Sequence, residues 1–249
     1  MDADGFVSIT KRLKKRGIVP TRNADIFSFG LDISTRNTGL VCMGLWNNKV
    51  RVANFEISYQ KEFGKNSAYT KESLERLIRA QEIGNKIVCV MNNMVRDPIA
   101  VEDWCDNLVI ITSIEGYSFA SRGRAIVHMG EFGGIIRTAI MDRAFGGTIF
   151  EVAPGSWRKS IVGKGNASKE AMIPIYEELV GSSQDVSSDV IDAFALSLYS
   201  LVENGYLEGY NEWRDKFVAK GGLVQETKER RRKPRKPCKS SKGKRKQAS

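Results

Sequence analysis

Three strand-like segments in close succession restrict the fold more than any other feature of this sequence. They are IFSFGLDI (26–33), TGLVCMGLW (38–46) and KVRVANFEI (49–57), each apolar or alternating as β-strands are. The second and third are separated only by Asn47-Asn48, a pair typical of a tight hairpin turn. The fold therefore opens with three antiparallel strands.

Helical and strand patterns alternate after these strands. We predict a helix over 72–96, a strand over 107–116, a helix over about 121–145 and a short strand over 148–152. Pro154 then predicts a loop, and two helices near 167–180 and 187–204 close the domain. The order βββαβαβαα predicts an α/β fold, in which helices flank a mixed β-sheet of three antiparallel strands and then parallel strands.

The net charge of +10 is concentrated at one end of the chain. Residues 228–246 hold twelve Lys/Arg and one acid, whereas the remaining 27 basic and 28 acidic residues nearly cancel. Such a tail cannot bury apolar surface, so we expect it to be disordered and to neutralise DNA phosphates without reading sequence. A solubility or targeting tail is the alternative. The DNA-binding candidates in it are Arg230, Arg231, Arg232, Lys233, Arg235 and Lys236.

Several classes of protein are excluded or disfavoured by composition. No run of about 18 apolar residues is present, so no membrane span is predicted. The N-terminus lacks the apolar region of a signal peptide, and we expect a cytoplasmic protein. The four cysteines lie far apart without a CxxC pair, which favours reduced thiols over a zinc site.

Four carboxylates lie where these elements would bring them together. Asp32 and Glu115 each end a strand, and Asp189 and Asp192 share one helix face at i and i+3. Clustered carboxylates repel one another, and two Mg²⁺ ions would offset that repulsion while promoting phosphodiester hydrolysis. Asp32 could instead be a turn residue, and Asp189 a first-turn residue behind a Ser187 or Ser188 cap. Those interpretations explain neither Asp192 nor a carboxylate at the end of a buried strand.

The segments around these acids resemble the RuvC family of Holliday-junction resolvases, over most of residues 26–205. FGLDISTRNTGLV is similar to the family's opening strand and the turn after its catalytic Asp. IEGYSFASRGRAIVHMGEFGGIIRTAI is similar to the strand with the catalytic Glu and the following helix. EVAPGSWRKSIVGKGNASKEAM is similar to the loop ending in G-x-G-x-A-x-K, and SSDVIDAFALSL to the closing D-x-x-D-A.

The resemblance implies an RNase H-like fold, two Mg²⁺ ions per active site with Mn²⁺ able to substitute, and a homodimer that makes paired nicks across a four-way junction. The implied metal ligands are Asp32, Glu115, Asp189 and Asp192, with Asp32 bridging the two ions. Lys169 would lie near the scissile phosphate, and either Arg158 or Lys159 would supply a second cation. The other implied DNA contacts are Lys164 and one of the rings of Tyr117 and Phe119, which could equally be core residues.

The same resemblance divides the chain into four parts. They are a basic N-terminal extension (1–25), an RNase H-like nuclease domain (26–205), a helical or connecting segment (206–227) and a disordered basic tail (228–249). The extension and the tail are additions to the compact family pattern. Their presence looks like a bacteriophage or viral version.

Two other functions share part of this pattern. A nuclease that cuts flaps, replication forks or R-loops would carry the same four acids, so the motifs do not separate it from a strict junction resolvase. A non-catalytic protein that binds DNA through its tail would not need the acids at all. An RNA-guided nuclease is disfavoured, because the zinc-ribbon cysteines and a large guide-binding domain are missing.

Overall fold

The computed structural model describes residues 6–21, 25–34, 37–46, 49–58, 72–96, 108–116, 124–144 and 147–223. Its strands are β1 (Val7–Ser8), β2 (Val19–Pro20), β3 (Ile26–Asp32), β4 (Asn37–Trp46), β5 (Lys49–Ser58), β6 (Val109–Glu115), β7 (Thr148–Val152) and β8 (Leu207–Glu208). Its helices are α1 (Thr10–Lys15), α2 (Glu72–Arg96), α3 (Arg124–Arg143), α4 (Pro154–Val162), α5 (Met172–Leu179), α6 (Ser188–Glu203) and α7 (Tyr210–Ala219). A short 3-10 helix, Lys169–Ala171, precedes α5. Within these ranges no helix has the length and apolar character needed to cross a membrane.

Six strands form one mixed sheet in the order β1-β5-β4-β3-β6-β7. The neighbours β3, β4 and β5 are antiparallel, whereas β6 is parallel to both β3 and β7. A parallel pair needs a long crossover connection, and α3 supplies it between β6 and β7. The sheet confirms the predicted fold class of three antiparallel strands followed by parallel ones.

The side chains of β3 alternate between two apolar cores. Phe27 and Leu31 belong to the core that α2 and α3 cover. Ile26 belongs to the core that α4, α5 and α6 cover on the other face. Because successive side chains of a strand point to opposite faces, Asp32 lies on the same face as Ile26. The alternation thus directs this acid toward α6.

Small residues on the α6 side of the sheet let the backbone of that helix contact the backbone of the strands. A Cβ atom added at Gly30 or Gly39 would come closer than 3.0 Å to backbone atoms of α6. The hydroxyls of Ser28 and Ser197 each donate to the other's carbonyl oxygen at 2.8 Å, so both buried polar groups are satisfied. The position of α6 is therefore set by backbone contact with β3 and β4.

Residues 6–20 pack into the same fold. β1 pairs with β5 and forms the edge of the six-stranded sheet, and β2 pairs with β8. Ile9, Leu13 and Ile18 are at most 1% exposed and join the core beneath α4, α5 and α6. The lysines of α1 remain exposed: Lys11, Lys14 and Lys15. This segment thus has an apolar side that contacts the core and a basic side that faces solvent.

The structure corrects the prediction for the segment after β7. The sequence predicts a loop from Pro154, but α4 begins at that residue. Proline fits the first helical position, because its missing N–H would have no partner there and its φ is already helical. The nine-residue helix buries Trp157, Ile161 and Val162. The predicted helix over 72–96 and the predicted strand over 148–152 occur with those bounds.

Candidate active site

Asp32 and Glu115 lie side by side at one end of the sheet. Each is the last residue of its strand, and β3 and β6 are parallel neighbours. Ser113, two residues before Glu115, makes a hydrogen bond to Ser200 of α6. Since residues two apart share a face of the strand, Glu115 also lies on the α6 side. Asp32 is only 7% exposed, and Glu115 is half-buried.

Asp189 and Asp192 lie near the N-terminus of α6, at the same end of the sheet. The hydroxyl of Ser187 caps the helix by accepting from the N–H of Val190 at 3.4 Å, which decides between the two serine caps that the sequence allowed. The helix dipole favours a negative charge in this turn by about 0.3–1 kcal/mol. That effect accounts for the half-buried Asp189. Asp192 is 1% exposed, and so small a gain does not explain a carboxylate buried that deeply.

Lys169 brings a positive charge to these acids. Its Nζ lies 2.7 Å from Oδ2 of Asp192 and 3.9 Å from Oδ2 of Asp32. The chain reaches this point because Gly163, in the left-handed region at φ 87°, ends α4 and starts the loop that leads back to Lys169. The lysine side chain is 50% exposed, so its ammonium also faces solvent at the open side of the cluster.

The electrostatics of the cluster show how strongly its members interact. Burial raises the pKa of Asp32 to about 8, with Glu115, Asp192 and Asp189 adding to the rise and Lys169 opposing it. Burial also raises the pKa of Asp192, against the hydrogen bond and charge of Lys169. Burial would lower the pKa of Lys169, but the carboxylates around it prevail and raise it. The folded protein thus concentrates negative charge that one ammonium only partly neutralises.

The chemistry of these side chains fits a divalent cation. Mg²⁺ prefers carboxylate oxygens, and the buried Oδ2 of Asp192 lies 2.7 Å from the ammonium of Lys169. Over those same residues, no three Asp, Glu, His or Cys side chains form a ready-made metal cage. The ammonium of Lys169 lies between two of the carboxylates instead. It supplies there part of the positive charge that a metal ion would supply.

Two neighbouring residues of α4 extend the site. The indole Nε1 of the fully buried Trp157 donates to Oε1 of Glu115 at 3.3 Å. The guanidinium carbon of Arg158 lies 4.9 Å from the centre of the Trp157 ring. The positive charge of Arg158 acts to lower the pKa of Asp192, and burial raises that pKa by more. Lys159 is exposed at the next position, so the geometry brings Arg158 to the carboxylates.

The other sequence-based candidates are less well defined. Lys164 is exposed in the loop between α4 and the 3-10 helix. The remaining candidates lie outside the described residues: Tyr117, Phe119, Arg230, Arg231, Arg232, Lys233, Arg235 and Lys236. The sequence analysis did not find Trp157, because the segment that carries it was assigned to a loop. The helical spacing of Trp157 and Ile161 after Pro154 is the signal that predicts a buried face there.

Comparisons with known proteins point to one family. The family model described as "Crossover junction endodeoxyribonuclease RuvC" matches residues 79–199. The protein of that same name from Sulfurovum sp. (strain NBC37-1) is 25% identical over 173 residues, which are 69% of this chain and 92% of that protein. The solved RuvC structure of Thermus thermophilus has a TM-score of 0.51 at 14% identity, and the match covers 74% of this chain and 98% of that one. T. thermophilus RuvC in complex with Holliday junction substrate gives a TM-score of 0.49 at 13% identity.

The family model matches the cluster except for Asp32, which the geometry adds. The matched span includes Glu115, Lys169, Asp189 and Asp192 but begins well after Asp32. The position of Asp32 beside them is given by β3 and by its ion pair with Lys169. The first Thermus structure supports the shared fold. None of the comparisons tests a bacteriophage or viral origin, which stays a prediction.

Proposed function

We propose that this RuvC-like chain is a metal-dependent endodeoxyribonuclease that resolves four-way DNA junctions by paired nicks. The premise is the match to the RuvC family model and to a curated RuvC along 92% of that protein. That relative is named a crossover junction endodeoxyribonuclease, which makes hydrolysis of a DNA phosphodiester the expected reaction.

The observation that carries this proposal is the convergence of buried carboxylates around one lysine ammonium. Asp32 and Asp192 are 7% and 1% exposed, and each lies within 4.0 Å of the Nζ of Lys169. An isolated buried carboxylate is costly, and two or more that repel one another are more so. If these carboxylates served only to stabilise the fold, apolar residues at the same positions would be more favourable. Binding a cation and a phosphate gives the cluster a function that accounts for this cost.

The carboxylates would hold the metal ions in this proposal. When bound, two Mg²⁺ ions, for which Mn²⁺ could substitute, would activate the attacking water and stabilise the leaving sugar oxygen. Asp32 would be one of the ligands that hold the ions, since the charges of Glu115, Asp192 and Asp189 all act on it. Glu115, Asp189 and Asp192 would complete the two ligand sets. Their placement on two strand ends and one helix keeps the oxygens at fixed positions.

The cations of the site would bind the scissile phosphate. The half-exposed Lys169 would exchange its contacts with the carboxylates for contacts with phosphate oxygens as metal and DNA bind. Arg158 would stabilise the charge that develops on the phosphoryl group. Its position near Asp192 favours it over the exposed Lys159 as the second cation of this loop.

Branched DNA, and four-way junctions above all, would be the substrate. Symmetric nicks in two strands need two active sites, and we identify one such carboxylate cluster among the described residues of a chain, so the active form would be a homodimer. The tail over 228–249 would add salt-sensitive contacts to DNA phosphates. Either Tyr117 or Phe119 would stack on an unpaired base at the junction.

A cleavage assay tests this proposal directly. The purified full chain is incubated with labelled four-way, three-way, flap and linear DNA, with and without Mg²⁺. We expect paired symmetric nicks in the four-way junction alone, and only with metal. Cutting of flaps and forks as well would indicate the broader branched-DNA nuclease. If no substrate is cut in a metal-dependent way, the proposal is wrong.

A pair of variants connects the assay to the site. Asp192→Asn removes a charge from the cluster, whereas Asp142→Asn removes one from an exposed position on α3. We expect the first to abolish cleavage and the second to leave it unchanged. Equal effects of the two would show that the cluster is not the active site.

A further inference from the structure

A single buried tryptophan contacts both an acidic and a basic side chain of the candidate site. Trp157 is 0% exposed in the second turn of α4. Its N–H donates to the Oε1 atom of Glu115 at 3.3 Å, and its ring lies 4.9 Å from the guanidinium carbon of Arg158. The edge and the face of one side chain are thus used for two different neighbours.

The contact with Glu115 restricts the orientation of that carboxylate. Indole N–H is a donor only, and a buried tryptophan normally directs it at an acceptor. Here that acceptor is one oxygen of the strand-end acid, and a carboxylate has a second oxygen left for other partners. Hydrogen bonds of this kind orient metal-binding carboxylates, and their loss typically weakens metal affinity about 10–100-fold.

The contact with Arg158 restricts a long cationic side chain. A guanidinium that lies against an indole ring is attracted by the negative face of the ring. The Nε atom of Arg158 is buried and has no hydrogen-bond partner among the described residues, and the ring contact restrains the guanidinium that carries it. From this position the positive charge of Arg158 acts to lower the pKa of Asp192.

We infer that Trp157 is a positioning residue of the active site, which fixes Glu115 through its N–H and Arg158 through its ring face. This inference rests on the proposed function, because it assigns Glu115 to metal binding and Arg158 to phosphate binding. It differs from a purely structural role in one respect. A tryptophan that only fills the core would affect stability, whereas a positioning tryptophan affects metal affinity and junction affinity through separable parts of its side chain.

Metal binding to the full chain without DNA is the first measurement. Trp157→Phe keeps an aromatic face beneath Arg158 but loses the N–H. We expect its affinity for Mn²⁺, measured by titration calorimetry, to fall about 10-fold or more. Trp213→Phe is the matched control, since Trp213 is a buried tryptophan of the same core that contacts Tyr210 and Phe217. The control should bind Mn²⁺ as the wild type does.

A double-mutant cycle shows whether the effect passes through Glu115. In a Glu115→Ala background, which removes the acceptor of the indole N–H, Trp157→Phe should weaken Mn²⁺ binding no further. Trp157→Leu removes the ring as well, and it should weaken metal-free junction binding several-fold, whereas Trp157→Phe should not. If Trp157→Phe does not fold, benzothienylalanine at position 157 keeps the bicyclic shape without the N–H donor and replaces it in both measurements.

The outcomes separate this inference from the proposed function. If the wild type binds no Mn²⁺ and cuts no DNA, the proposed function is wrong. If the wild type binds and cuts but Trp157→Phe binds Mn²⁺ equally well, Trp157 is a core residue and the inference is wrong. The inference is also wrong if the effect of Trp157→Phe is undiminished in the Glu115→Ala background.

Discussion

Replacing Asp32 by Asn should stabilise the metal-free protein while removing its activity. Asp32 is 7% exposed, and burial together with the charge of Glu115 raises its pKa to about 8. The ionised carboxylate is therefore unfavourable in the folded protein. An asparagine has nearly the same shape and carries no charge, so it removes the repulsion without leaving a cavity.

The magnitude and its sign follow from the two pKa values. In the unfolded chain the carboxyl has its ordinary pKa of 3.8, and in the folded chain the pKa is about 8. Between these values the folded state holds a proton that the unfolded state has lost, so the stability contributed by this group falls as pH rises. At about 1.4 kcal/mol for each tenfold change in acidity, the ceiling at pH 8 is about 5 kcal/mol. Relaxation around a buried charge reduces such penalties, and we expect about 2–4 kcal/mol.

Urea unfolding in EDTA at pH 8 and pH 5 measures this difference. The gain from Asp32→Asn should be largest at pH 8 and fall to about a third of that value at pH 5, where the wild-type carboxyl is mostly protonated when folded. Asp142→Asn, at an exposed position of α3, should show no such pH dependence. A variant that is no more stable than the wild type at pH 8 would refute the view that the negative charge around Asp32 is only partly neutralised by Lys169.

Three further predictions concern the position of α6, the chemistry and the tail. Gly39→Ala places a Cβ closer than 3.0 Å to the α6 backbone, so we expect it to cost at least about 1–3 kcal/mol in urea unfolding and about 100-fold in single-turnover cleavage. Gly130→Ala in α3, where an added Cβ would meet no described residue within 4 Å, is its control and should be neutral or stabilising. Asp32→Asn and Glu115→Gln should each abolish cleavage yet leave junction binding in a gel-shift assay intact, and near wild-type cutting by either would contradict the site. Deletion of 228–249 should flatten the dependence of log K on log salt by about 0.9 for each DNA phosphate that the tail neutralises, whereas an unchanged slope would show that the tail does not bind DNA.

The sequence predicted the parts of this fold whose signal is local. The three opening strands and the helix over 72–96 each contain enough residues for a period of two or 3.6 to be recognised. The acids Asp32 and Glu115 were found because they end such segments. The fold class followed from the order of all such elements, and the location of the candidate site from these two acids together with Asp189 and Asp192 of the closing helix.

The parts that could not be predicted depend on contacts between distant segments. β1 and β2 are two residues long, so they carry no periodic pattern, and their pairing with β5 and β8 is decided by the tertiary fold. The choice between Arg158 and Lys159 required the orientation of α4, which a sequence-based loop assignment had hidden. The contact of Trp157 with Glu115 joins residues 42 positions apart.

The inner face of β3 shows how the site and the stability of the fold are related. A buried Leu or Val at positions 28 and 30 would each add about 1.5–3 kcal/mol of apolar burial, as Phe27 and Phe29 do on the other face. Ser28 and Gly30 give up that contribution, and the consequence is that α6 lies against the strand backbone. Only at that distance does an acid in the second turn of the helix share one ammonium with the acid that ends the strand. The small residues are therefore as much a part of the candidate site as the carboxylates, since larger side chains would separate Asp192 from Asp32.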